Sequence, residues 1–359
     1  MTILSRYVAR EFAKLYGLCL GTFVFIYLLA DFIEQSNAFF RAHVVGTDVL
    51  RYFLYKTPLV VFQVIPPAAL LATLLVLTLL SKNSEIVAMK AGGVSLYHVV
   101  TPLLAAAALL SAFAFLLNEY VVPTTSERAE FIKRVDIKGK EPVIQHKRRS
   151  VWYKMTHEIY QVSLYHTIKR EMRDLSVYSF DRDFQLVQRI DAKRAVWTGS
   201  AWEFHDGVVR VFEANRFRAA TPFEARVIPI EAQPDDLATL VKSSDEMSYR
   251  ELSDFVEKVE GEGMDITKYR VDLQKKLAFP LVTLIMSLLA VPFALRGGRQ
   301  GGAALGIVFA VVIGLIYWLV MGAFSALGNS GKLPPPVAAW GSHVIFAAVG
   351  IGMLVRAPK

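Results

Sequence analysis

The chain has 359 residues, 54% of them apolar, with a formal net charge of +8 and a mean hydropathy of +0.38, which excludes an ordinary water-soluble enzyme, whose surface demands more charge. Charge is segregated: 27 Lys+Arg and 26 Asp+Glu fall within residues 123–276, against 13 and 6 in the rest of the chain, so the flanks read as membrane and the middle as a water-exposed domain. The basic excess collects at helix ends, where anionic headgroups would meet it, and no basic stripe points to nucleic acid.

About 20 apolar residues cross the ~30 Å of hydrocarbon in a bilayer, and six segments qualify: 15–33, 59–80, 99–122, 277–295, 303–327 and 335–355. The first follows Arg6, Arg10 and Lys14, lacks a small-residue cleavage pattern and reads as a retained anchor. It carries Asp31 near its end and the single cysteine, Cys19, so no disulfide framework exists. Orientation follows from the short loops, where Lys and Arg are retained in the cytoplasm. With the N-terminus inside, Arg6, Arg10, Lys14, Lys82, Lys90, Arg296, Arg299, Arg356 and Lys359 are cytoplasmic, against Arg41, Arg51, Lys56 and Lys332 outside. Both termini are then cytoplasmic and the central domain lies on the other side.

Between spans two and three, Ser84-Glu85-Ile86-Val87-Ala88-Met89-Lys90-Ala91-Gly92-Gly93 predicts a short helix. Ser84 is placed to cap it, Glu85 to favour its positive end, and the glycines to stop it. Ile86 and Met89 would share a face. Such a helix can insert into a soluble partner's groove or simply lie at the interface. Pro66-Pro67 in span two and Pro280 and Pro292 in span four remove backbone donors and can kink helices that line a cavity. Gly306 and Gly314 in span five permit close helix approach, either as plain packing or on span one across a lateral gate.

In the middle domain, 151–164, 175–180, 189–197 and 202–212 show partial period-two alternation of aromatic and β-branched residues, the pattern of strands with one buried face. His205-Asp206-Gly207 reads as a hairpin turn. Strands at this spacing predict a sandwich, a jelly roll or a related open β-structure. Ser248 and Glu251 then form a capping box ahead of Leu252, Phe255, Val256 and Val259 at helical spacing. A further helix runs from Thr267 through Lys275 and Lys276 into span four. Domains are thus expected at 1–122 with the short helix at about 84–93, a β-rich domain at 123–247, a helical connector at 248–276, and 277–359. Gly331-Lys332 precedes Leu333 and is no P-loop. The glycine-rich run 296–302 reads as a basic turn, and His157-Glu158 lacks a second zincin histidine, so neither a catalytic nor a metal site is expected.

The run SEIVAMKAGGVS resembles the coupling-helix segment of the LptF/LptG family, the permease subunits of the bacterial lipopolysaccharide exporter. LSRYVAREF, NEYVVPTTSE, YRVDLQKKLAFPLVTLIMSLLAVPFAL and GKLPPPVAAW extend the resemblance over most of the chain, and the LSRY start leans to the LptG branch. The resemblance implies an α-helical polytopic inner-membrane protein with an inserted periplasmic β-jelly-roll-like domain. It implies a transport subunit without its own ATPase site, paired with a paralogous permease (LptF for an LptG) and a homodimeric ABC ATPase, LptB, that binds ATP and Mg. Periplasmic LptC and LptA would form the bridge for lipopolysaccharide. Glu85 would contact the ATPase, with Ala88 and Met89 in its groove. Where the family has a basic residue near the lipid phosphates at the end of span one, this chain has Asp31. Arg128, Lys133 and Arg134, with Arg41 as a further candidate, are basic residues placed for a phosphorylated headgroup or for plain solvation. A scaffold binding an external protein, or a lipid-modifying membrane enzyme, are the competing readings.

Overall fold

The computed structural model describes residues 3–41, 46–133, 143–144, 151–154, 157–166, 170–181, 183–213, 216–230, 233–234, 244–261, 266–297 and 302–356. It contains helices α1 (Ile3–Arg41), α2 (Gly46–Lys82), α3 (Glu85–Ala91), α4 (Leu96–Leu116) and α5 (Val122–Ile132), then strands β1 (Val143–Ile144), β2 (Val151–Lys154), β3 (Glu158–His166), β4 (Glu171–Phe180), β5 (Leu186–Trp197), β6 (Trp202–Glu213) and β7 (Arg216–Ile228). Helices α6 (Tyr249–Gly261), α7 (Thr267–Ala278), α8 (Val282–Gly297), α9 (Gly302–Asn329) and α10 (Pro335–Val355) complete the chain. It divides into two compact units: Met1–Glu130 with Glu246–Ser253 and Thr267–Lys359, and Phe131–Asp245 with Asp254–Ile266.

Six stretches are long and apolar enough to cross a membrane, at Ile3–Ser36, Gly46–Lys82, Leu96–Ile132, Thr267–Leu295, Ile307–Asn329 and Pro335–Val355. The chain is a multi-pass α-helical membrane protein with an inserted β domain. Several helices overrun the apolar cores read from the sequence: at 1.5 Å per residue, the 37 residues of α2 reach about 55 Å, well beyond the hydrocarbon layer. The bundle is built around α2 and α8, whose inward residues include Ala68, Ala72, Leu74, Leu77, Met286, Leu289, Ala290 and Ala294. The alanines let the backbones approach, which supplies packing where lipid offers no hydrophobic drive. By contrast α1 and α9 present most of their apolar surface outward. Pro66 and Pro67 lie inside α2 and Pro292 inside α8, while Pro280 sits in a 3-10 turn, Phe279–Leu281, that joins α7 to α8. A π-helical segment, Leu117–Val121, joins α4 to α5.

The expected capping box forms: Ser248 N–H donates to Glu251 Oε2 at 2.9 Å and Glu251 N–H to Ser248 Oγ at 3.1 Å. Glu119 of the π segment adds an acceptor for the Tyr249 N–H at 2.8 Å, so the start of α6 is tied to the end of span three.

In the second unit the described strands form one antiparallel sheet in the order β1-β3-β4-β5-β6-β7, with β2 also paired to β3. From β3 to β7 it is a meander, one sheet of the open β-structure kind. Two readings of the sequence are corrected and one strand is added. Segment 151–164 is two strands, β2 folded back on β3, and not one. His205-Asp206-Gly207 is not a turn: β6 runs through it, and the turn lies at Thr198–Ala201, where the Thr198 N–H donates to the Ala201 carbonyl at 2.9 Å and Gly199 adopts φ +104°. β7, an exposed edge strand of 13 residues, carried no alternation to announce it.

The partial alternation has a physical cause. Side chains alternate with period two, so a one-residue slip exchanges the faces. Buried residues are Val162 then Tyr165 in β3, Met172 then Leu175 in β4, Ala192 then Ala195 in β5, and Phe204 then Gly207 in β6, three apart at each step. The pairing register is unchanged across the step. The slip therefore falls on one row, Ser163-Asp174-Lys193-Asp206-Glu224, and is opened by left-handed backbone at Asp174 (φ 47°) and Asp206 (φ 50°). Gly207, just past the row, is obligatory: a Cβ there would meet the Phe223 ring at 2.4 Å and the Asp191 carbonyl at 2.7 Å.

Candidate functional site

Three regions carry the candidate chemistry. At the foot of the bundle, α3 follows α2 after two residues. The expected Ser84 cap does not form: Ser84 is left-handed (φ 59°, ψ 13°) and its hydroxyl makes no bond to the helix. Its backbone instead makes the sharp turn between α2 and α3, and Ser95 caps the next helix, accepting from the Tyr97 N–H at 3.2 Å. The Glu85 carboxylate is held on both oxygens: the Tyr7 hydroxyl of α1 donates to Oε2 at 3.0 Å and Asn83 Nδ2 to Oε1 at 3.3 Å. Ile86 is buried and Met89 half-buried against the bundle core, so the two share the inward face. Val87, Ala88, Lys90 and Ala91 face outward, and an open hollow of about 340 Å³ beside them is lined by Lys90, Val94, Ser95, Tyr97 and Leu354.

Ten residues back from the end of α1, and ten in from the start of α2, the helices meet through a polar cluster. Lys56 Nζ pairs with Asp31 Oδ1 and donates to the Tyr52 hydroxyl at 2.9 Å. The other Asp31 oxygen accepts from Gln35 Nε2 at 2.7 Å and from the Tyr52 hydroxyl at 3.1 Å. Lys56 and Asp31 side chains are 14% and 11% exposed, ringed by Phe32, Phe39 and Phe53. An ion pair this buried persists only when its remaining donors and acceptors are also satisfied, as Tyr52 and Gln35 do here. The acidic residue at the end of span one is thus the partner of a base on span two. The sequence signal was available: Asp31/Gln35 and Tyr52/Lys56 are two i,i+4 polar pairs near facing helix ends.

Arg128 of α5 lies over the Tyr55 ring, 5.5 Å from its centroid, and donates to the Tyr55 hydroxyl at 3.2 Å. That stacking aims an exposed guanidinium. Lys133 is half-buried in the second unit, Arg134 lies outside the described residues, and Arg41 is the last helical residue of α1, its side chain also outside them. Gly314 faces Leu70 of α2, whose Cδ2 would lie 4.0 Å from an added Cβ, and Gly306 falls in the helical backbone of α9.

The sheet has two contrasting faces. One is apolar, built from Tyr160, Val162, Leu175, Val177, Ile190, Trp202 and Phe204, with Trp197 packed edge-on to Trp202 and the Tyr165 hydroxyl donating to the Pro234 carbonyl at 2.9 Å. The opposite face is charged. Asp191 accepts from Ser176 Oγ at 2.5 Å and Arg189 Nη2 at 2.7 Å and pairs with Arg210, while Arg189 stacks on Tyr178. Hydrogen bonding to Asp191 raises the Arg189 pKa from its ordinary value. Among the described residues no group of three or more His, Cys, Asp or Glu could hold a metal. Tyr7, Gln35, Tyr52 and Tyr55 went unremarked in the sequence because a tyrosine or glutamine near a span end is common there.

The profile of the family described as "Lipopolysaccharide export system permease LptF/LptG" matches residues 6–356. The lipopolysaccharide export system permease protein LptG of Escherichia coli K12 is 21% identical over 363 aligned positions, covering 99% of this chain and 98% of that protein. The protein of that name from Haemophilus influenzae is 23% identical over 327, covering 88% of each.

Proposed function

The chain belongs to the LptF/LptG family of lipopolysaccharide export permeases, and from that membership we propose that it is the permease subunit of an ATP-driven exporter that extracts lipopolysaccharide from the inner membrane and passes it to a periplasmic β-bridge. The observation that carries this reading is the match along 6–356, which takes in all six spans, the short helix and the sheet together. The paralogous permease, the LptB homodimer with its ATP and Mg, and the bridge proteins LptC and LptA complete the machine.

An amphiphile with several acyl chains cannot cross water unaided, since each exposed CH₂ costs about 0.8 kcal/mol. The membrane body holds it first, with Arg128, Lys133, Arg134 and Arg41 available to headgroup phosphates and α9, through Gly306 and Gly314, at the gate. The apolar face of the sheet then takes the chains while the sugars stay wet. Work enters from the cytoplasm at α3, where Glu85 meets a basic residue of the ATPase and outward-facing Ala88 seats the helix, while Met89, expected in that groove, packs inward and ties the helix to the bundle.

The test is copurification from native membranes with identification of bound proteins and lipid, followed by Glu85→Ala in the full complex. Loss of one charge-assisted contact is expected to weaken ATPase attachment about tenfold and to reduce lipid release, with the membrane region still folded. Wild-type attachment, ATPase stimulation and release would remove Glu85 from the coupling site.

A further inference from the structure

Tyr7 and Glu85 are 78 residues apart, and the hydrogen bond between them joins the foot of α1 to α3. It stands on firm ground at both ends. Val8 and Phe12, one residue and five residues further along α1, are fully buried, and Ile86, next to Glu85, is buried in the same apolar cluster. The backbones carrying the phenol and the carboxylate are therefore fixed by packing, and the remaining freedom lies in the two side chains. A glutamate is among the residues that lose most rotamer entropy on being ordered, about 1.5–2 kcal/mol. With the Tyr7 hydroxyl on one oxygen and Asn83 on the other, that cost falls on folding and not on docking.

The rest of α1 gives the contact a mechanical meaning. Between residues 20 and 34 most α1 side chains are exposed, with Leu20 and Phe23 partly packed on the core, and Asp31, Gln35 and Phe39 then rejoin the bundle at the Asp31–Lys56 pair. The helix is gripped at its foot and near its far end, with a mostly exposed stretch between.

We propose that Tyr7 is a positioning residue for Glu85: its hydroxyl presets the carboxylate for a cationic group of the ATPase and makes the foot of α1 move with α3. A pull on Glu85 then reaches the α1–α2 polar cluster through one rigid helix. This inference rests on the coupling role proposed for Glu85.

The experiment is Tyr7→Phe in the complete transporter, with Tyr7→Phe/Glu85→Ala and Glu85→Ala alongside. Removing one exposed hydroxyl leaves the bundle core untouched, and complex assembly by size exclusion checks this. Tyr7→Phe is expected to weaken ATPase attachment about three- to tenfold and to lower lipid released per ATP hydrolysed, and to add nothing when Glu85 is already alanine, because the hydroxyl acts only through that carboxylate. A defective Glu85→Ala with a wild-type Tyr7→Phe overturns the positioning role and leaves the coupling role standing. A wild-type Glu85→Ala overturns the coupling role itself. Independent, multiplicative losses in the double variant overturn the proposal by showing that Tyr7 acts elsewhere.

Discussion

Neither Asp31 nor Lys56 is tolerable alone among the phenylalanines around them; together, with Tyr52 and Gln35, they form a neutral, hydrogen-bonded clasp between α1 and α2. Truncating one partner strands the other, at a cost of about 3–5 kcal/mol for a buried pair. Asp31→Leu is therefore expected to lower the thermal midpoint of the purified protein sharply, and Asp31→Leu/Lys56→Met to recover most of the loss. A double variant no more stable than the single would show that the pair is not the source. At this scale the sequence was half legible. Asp31 stood out as a departure from the basic residue that the family resemblance implies, but its partner lies 25 positions away on another helix, and only the spacing of Asp31/Gln35 and Tyr52/Lys56 hinted at a meeting.

The strands of the β domain show why element-level reading worked for existence and faltered on extent. β4, β5 and β6 were visible because aromatic and β-branched residues alternate within them; their full lengths were not, because the rhythm resets at Asp174, Lys193 and Asp206. The same reset disguised Asp206-Gly207 as a turn. Gly207 is there to admit the Phe223 ring against the Asp191 carbonyl, so Gly207→Val overpacks the sheet and is expected to destabilise the domain by about 1–3 kcal/mol. Limited proteolysis and thermal unfolding of the full chain in detergent measure this; a variant as resistant as wild type would mean that the ring has room to move aside. Helix α3 was legible in place, from the terminating glycines, and in the face shared by Ile86 and Met89, but not in that face's turning inward on the bundle, and its start was misassigned to a Ser84 cap because a serine's backbone angle is not written in its side chain.

Six apolar runs of sufficient length gave the membrane architecture of the whole molecule directly, since hydrocarbon admits few alternatives to helices. Their overruns were illegible because a helix continues past the lipid wherever its polar ends find water or partners, as α2 does over 37 residues. A periplasmic β domain is the expectation from the charge asymmetry of the short loops, and the buried Cys19 leaves the protein suited to a labelling test of it. Ser200→Cys, in the exposed turn between β5 and β6, is expected to react with a membrane-impermeant maleimide in cells whose outer membrane alone is opened. Labelling only after the inner membrane is broken would reverse the orientation. The row of simultaneous slips through the sheet also constrains how such a domain can change over time. Deleting Asp174 or Asp206 alone turns half a strand inside out, sending its oily residues to water and its charges inward. Descendants can tolerate the loss or gain of that residue only as a matched set across neighbouring strands, so gaps at this level are expected to arrive together or not at all.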